Sequence, residues 1–150
     1  MPRFAFRLQT LLSLRQASLD EAQGQLLAAQ AEEQAAYERL VAFEQELNAE
    51  QQRCRAQGAP GEIDLDDLRT VARYCATLRG EVQTLAQREK CLAAATESRR
   101  ETLLAADREV QILRKLRERH HAAFQSQQAL AEVKQFDEVA ARLTGALEKS

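Results

Sequence analysis

Gly58-Ala59-Pro60-Gly61-Glu62-Ile63-Asp64-Leu65-Asp66-Asp67 holds the one strong interruption in a chain otherwise written in helix-forming residues. Two glycines accept positive φ without a Cβ clash, and Pro60 steers Ala59 away from helix. Asp64 just before Leu65, with Asp67 at the third helical position, reads as a helix start. Its carboxylate can accept first-turn N–H groups, and the negative charge suits the positive end of the helix dipole. The stretch therefore divides the chain into helix one over about residues 4–56, a turn at 57–63, and helix two over about 65–143.

Composition on either side agrees. Ala, Leu, Arg, Glu and Lys make up more than half of the 150 residues, and these types favour long helices and coiled coils. Only 15 residues are Val, Ile or Thr, and there are 5 Gly, 2 Pro and no Trp. Sheet folds lack both their strand residues and their turns. Gly24 and Gly80 are tolerated helix-interior glycines.

Steps of seven locate the seam. In helix one the rows are Leu12, Leu19, Leu26, Glu33, Leu40, Leu47, Cys54 and Leu8, Arg15, Ala22, Ala29, Ala36, Phe43, Glu50. In helix two they are Leu68, Cys75, Val82, Glu89, Thr96, Leu103, Val110, Arg117, Phe124, Ala131 and Val71, Leu78, Leu85, Leu92, Arg99, Ala106, Leu113, His120, Gln127. The apolar pattern fades at Glu89, Thr96 and Arg99 and degrades after Arg117. A sustained 3.5-residue repeat specifies a left-handed coiled-coil seam, and a short turn makes the helices antiparallel. The fold class is all-α: a long antiparallel two-helix coiled-coil hairpin, its second helix overhanging the first over about residues 118–143. A fold-back centred near Gly61 sets Leu47 against Cys75, Leu40 against Val82, Leu19 against Leu103 and Leu12 against Val110. It sets Glu33 against Glu89 as a polar pair, either solvated or register-setting, and Cys54 against Leu68, so that Cys54 and Cys75 do not meet.

Charge and cysteine usage narrow the function. Net charge is −2 with both signs interspersed, which removes the electrostatic case for a nucleic-acid binder. Three cysteines without metal-ligand spacing read as free thiols in a reducing, cytoplasmic compartment. No apolar run reaches the ~20 residues of a membrane span, and Arg7 and Gln9 break the N-terminal apolar stretch, so it does not read as a secretory signal. His120 and His121 point about 100° apart on a helix and do not share a metal easily. There is no phosphate-cradling glycine loop, and a two-helix fold offers no concave pocket for a catalytic set. The chain reads as a non-enzyme with no cofactor and no metal.

Three features remain as candidate contacts. Phe4, Phe6, Leu8, Leu11, Leu12 and Leu14 form the densest apolar cluster, and Phe4, Leu11 and Leu14 fall off the seam. They fit either insertion into a partner or packing on the overhang near Leu116. Tyr74 reads either as a partner contact or as a seam flank. The run Arg114-Lys115-Leu116-Arg117-Glu118-Arg119 reads as a solvated helix face, with an acidic ring or a membrane surface as the other reading.

The opening Phe4-Ala5-Phe6-Arg7-Leu8-Gln9-Thr10-Leu11-Leu12-Ser13-Leu14-Arg15 resembles the F-R-L-Q-x-L-L-x-L-R start of the flagellar export protein family FliJ. Tyr74 with Leu78 and Val82 resembles that family's aromatic-x-x-x-Leu-x-x-x-aliphatic stretch. Glu132-Val133-Lys134-Gln135-Phe136-Asp137-Glu138 resembles its E-Q-K-x-L-D-E segment, with Val133 in place of Gln and Phe136 in place of an aliphatic residue. The resemblance covers essentially the whole chain.

It implies a cytoplasmic component of the flagellar type III export apparatus, peripheral at the inner membrane and similar to the rotor stalk subunit of ATP synthases. It implies binding at the hexameric export ATPase FliI through the end that carries both termini, contact with the cytoplasmic domain of the export-gate protein FlhA, and association with export chaperones. On the resemblance, Phe4, Phe6, Leu8, Leu11 and Leu12 with Lys134, Phe136, Asp137 and Glu138 form the ATPase-binding tip, and Tyr74 and Leu78 meet the gate. The free protein is expected to be a monomer. The alternatives are the stalk of a virulence type III secretion system, a structural dimeric coiled coil without an export role, and a holdase-type chaperone for filament subunits.

Overall fold

The computed structural model describes residues 2–57 and 64–149. Two helices account for nearly all of them: α1, Gln9–Gln57, and α2, Leu65–Glu148. They pack antiparallel as an all-α hairpin, and no strand occurs among the described residues. The turn expected at 57–63, with Gly58-Ala59-Pro60-Gly61, lies outside the described residues from Gly58 to Ile63.

The start of α2 follows from its aspartates. Asp64 Oδ1 accepts the Asp66 N–H at 3.0 Å, the Asp64 carbonyl accepts the Leu68 N–H at 3.1 Å, and Asp66 and Asp67 occupy the first turn. At the other end α2 runs through Gly145 to Glu148, five residues past the expected stop. The Thr144 hydroxyl bonds back to the Ala140 and Ala141 carbonyls at 3.0 Å.

The start of α1 corrects the sequence reading. Residues 4–8 are not helical, and the first capping bonds run from the Gln9 N–H to the Phe6 carbonyl at 3.0 Å and from the Leu12 N–H to the Leu8 carbonyl at 2.9 Å. The reason lies in the spacing of the two aromatics. Two residues along a helix is about 200° of rotation, so a helical Phe4 and Phe6 would face opposite ways. In non-helical chain both turn toward α2 while Ala5 and Arg7 stay exposed, a period of two.

Packing divides the chain into two units, Met1–Asp20 with Ala105–Ser150, and Glu21–Leu104. In the first, Phe6, Leu12, Leu19, Val110 and Leu113 are buried; in the second, Ala22, Cys75, Leu78, Leu85 and Thr96 are. Every one of these except Phe6 lies on the four heptad rows. Thr96 is only 2% exposed, yet it carries no unsatisfied polar group, because its hydroxyl donates to the Leu92 carbonyl at 3.0 Å. A threonine fits the seam this way because its own helix supplies the acceptor.

Polar contacts flank each seam. In the first unit Arg15 pairs with Glu109 at 3.1 Å and Arg114 donates to Gln16 at 2.6 Å; in the second, Arg99 donates to Gln25 at 2.7 Å. All three sit further along α2 than a fold-back at Gly61 places them. Cys54 and Cys75 also line one shallow cavity, together with Ala72, where the sequence reading sets Cys54 against Leu68 and keeps the two apart. A heptad repeat constrains phase more tightly than axial position, so the pattern alone leaves the register open.

Candidate functional site

The first unit contains both chain ends, and its apolar groups fall into an inward and an outward set. The inward set begins with an arm ahead of α1. The Phe4 ring lies 4.9 Å from His121, edge-on, and 5.6 Å from Phe124, while the Phe6 ring lies 5.7 Å from His120, also edge-on. Gln128 Nε2 donates to the Pro2 carbonyl at 3.3 Å. Aromatic pairs at such spacings add to the area they bury. Phe6 and Leu12 are buried, Phe4 and Leu8 half-buried, and Leu11 and Leu14 exposed. Of the two readings of this cluster, packing on α2 describes Phe4 and Phe6, and the contact centres on His120, His121 and Phe124 rather than on Leu116.

The outward set lies on α2 beyond the arm. From residue 129 to residue 143, Ala129, Val133, Phe136, Ala140 and Leu143 recur with alternating spacings of four and three. All are exposed, Phe136 at 73% and Leu143 at 62%, and Leu130 and Val139 widen the band. These rows are offset by two residues from those that carry the seam, about 200° round the helix, so the band lies on the far side of α2 from α1. Following the seam rows past Arg117 missed it; the alternation of four and three was the available signal. Lys134, Asp137 and Glu138 stand exposed beside it. The basic residues Arg114, Lys115, Arg117 and Arg119 are exposed as well, with Arg114 engaged by Gln16.

The second candidate contact lies in the other unit. Tyr74 is 43% exposed, and its hydroxyl donates to Glu46 across the two helices. Leu78, one turn on, is 3% exposed and belongs to the seam, so of the pair only Tyr74 presents surface. The bond to Glu46 raises the Tyr74 pKa above its usual value of 10.0; desolvation and the Glu46 and Glu50 charges add to the rise, and Arg53 opposes it. The bond is therefore held below pH 10 and lost as pH climbs through the raised value. In a Tyr37→Phe background, phenolate absorbance is expected to show a midpoint above 10, falling toward 10 in Glu46→Gln.

The described residues hold no cluster of three or more His, Cys, Asp or Glu placed for a metal, and none of their helices is long and apolar enough to cross a membrane. What remains is a pair of long helices with exposed apolar groups. The family model described as flagellar FliJ protein matches residues 4–147. The chain belongs to the FliJ family. FliJ-family proteins are non-catalytic components of the flagellar export apparatus, and the match spans the aromatic arm, both helices and the outward band of α2. No curated protein and no solved structure matches the chain.

Proposed function

We propose that this FliJ-family chain is the stalk of the flagellar export ATPase. It binds the hexameric FliI ring through the end that holds both termini and promotes ring assembly and ATP hydrolysis, without chemistry of its own. In the same reading it sits in the cytoplasm, peripheral to the inner membrane, and the Tyr74 surface engages the cytoplasmic domain of FlhA while export chaperones associate with the helices. The observation that carries the ATPase contact is the exposed apolar band of residues 129–143. Such a band on a helix that projects beyond its neighbour suits insertion into an apolar groove or ring lumen. Bias of the ring toward its active form then comes from differential contact with its conformations.

The same band's heptad spacing raises the structural dimer. In a parallel pair Glu132 of one copy would face Asp137 of the other across the flank, two like charges, which disfavours that arrangement. The deciding measurement is ATP hydrolysis by the cognate ATPase with and without an equal concentration of this protein. A several-fold rise supports the stalk. An unchanged rate, with the ATPase active and able to form rings, overturns it in favour of a structural coiled coil.

A further inference from the structure

Cys54 on α1 and Cys75 on α2 both belong to the second unit. Both line one shallow cavity, together with Gln51, Arg55, Ala72 and Arg79. Cys75 is buried and Cys54 half-buried, while Cys91, the remaining cysteine, is exposed and lines no part of that cavity. Two thiols lining one cavity from opposite helices, one of them reachable from solvent and two guanidinium groups beside them, form an arrangement that coiled-coil packing by itself does not require. A heptad position asks for an apolar group of moderate size, which alanine, valine or leucine supplies without redox chemistry.

We propose that Cys54 and Cys75 form a reversible cross-helix disulfide, a redox-dependent staple between α1 and α2. The oxidant is a low-molecular-weight disulfide such as oxidised glutathione. The Cys54 thiolate attacks one sulfur of that disulfide, breaking its S–S bond and releasing one small thiolate. The Cys75 sulfur then attacks the Cys54 sulfur of the mixed disulfide and releases the second. The protons of the two protein thiols pass to the two small thiolates, so two protein thiols and one small disulfide yield one protein disulfide and two small thiols. Cys54 reacts first because it is the accessible member. Burial and the Cys54 thiol beside it hold Cys75 in its protonated form, against the opposing Arg79, until the mixed disulfide places a leaving group next to it. In a reducing compartment the staple stays open and closes only under oxidative challenge. Once closed, it fixes the two helices together beside Tyr74, the exposed residue next in sequence to Cys75.

The test uses the full chain carrying Cys91→Ser, which removes the thiol most prone to join two chains. Folded protein is titrated with oxidised glutathione and followed by intact mass, peptide mapping and thermal melting. The expected product is a monomer lighter by about 2 Da, linked Cys54 to Cys75, melting at a higher temperature, and restored by a dithiol reductant. Cys54→Ser in the same background is expected to abolish the mass loss. Cys75→Ser is expected to leave a lasting glutathione adduct on Cys54. A lasting adduct on Cys54 with Cys75 intact overturns the proposal. So does a pair that stays reduced under conditions in which the denatured chain oxidises.

Discussion

Phe136→Asp combined with Leu143→Asp is expected to return ATP hydrolysis by the export ATPase to its unstimulated rate, with the helical circular dichroism of the variant unchanged. Both side chains are largely exposed in the free protein, and exposed substitutions away from caps and core shift stability by about 0.5 kcal/mol or less. In a complex that covers the band, each native side chain contributes about 1.5–3 kcal/mol of apolar burial. Replacing both removes that term and asks the interface to bury two carboxylates, so affinity falls by about 100-fold or more. Titrating the ATPase with wild type and variant reads this directly, and undiminished stimulation by the variant would remove the outward band from the contact. Deleting residues 1–15 is a poorer probe. It takes away Phe6 and Leu12, which are buried within the protein, and so mixes a lost contact with a loosened fold.

The second large effect concerns the seam. Val110 is fully buried, at 0% exposure, and Val110→Asp places a carboxylate there without an opposite charge supplied for it. Leaving a buried charge uncompensated costs about 3–5 kcal/mol, a large part of the 5–15 kcal/mol that holds a typical domain. Thermal melting is expected to fall by about 10 °C or more on the scaling for chains of this size. Burial raises the pKa of the introduced carboxyl above its unfolded value, so the penalty is present at neutral pH and shrinks as pH falls through that raised value. A melt indistinguishable from wild type at pH 7 would mean that Val110 is not a seam residue.

Most of the seam was legible in the sequence because burial in a coiled coil is periodic. Leu12, Leu19, Ala22, Cys75, Leu78, Leu85, Val110 and Leu113 are buried on the rows that steps of seven pick out. Even Thr96, where the apolar pattern lapses, keeps its place by bonding to its own helix. The exact register was not legible, since a repeat constrains phase more tightly than axial position; Cys54 shares a cavity with Cys75 and Ala72 rather than facing Leu68. The arm was misread as helix because its residues suit one, and only the packing of Phe4 and Phe6 on the same side of α2 decides otherwise. The outward band escaped because its rows restart two residues out of step with the seam. The family resemblance singled out Phe136 within it, while Val133, Ala140 and Leu143 become meaningful only once the far face of α2 is seen to be bare.

The aromatic arm does more than add area. Were α1 to slide along α2 by two turns toward the middle of that helix, Leu12 would again find an apolar rung, Leu103 in place of Val110, and that rung by itself would barely object. Phe6 would not: its ring would leave His120, the Phe4 ring would leave His121 and Phe124, and the Pro2 carbonyl would lose Gln128. A handful of non-repeating residues thus acts as an indexing pin on an otherwise ruler-like interface, and fixes how much of α2 is left to project.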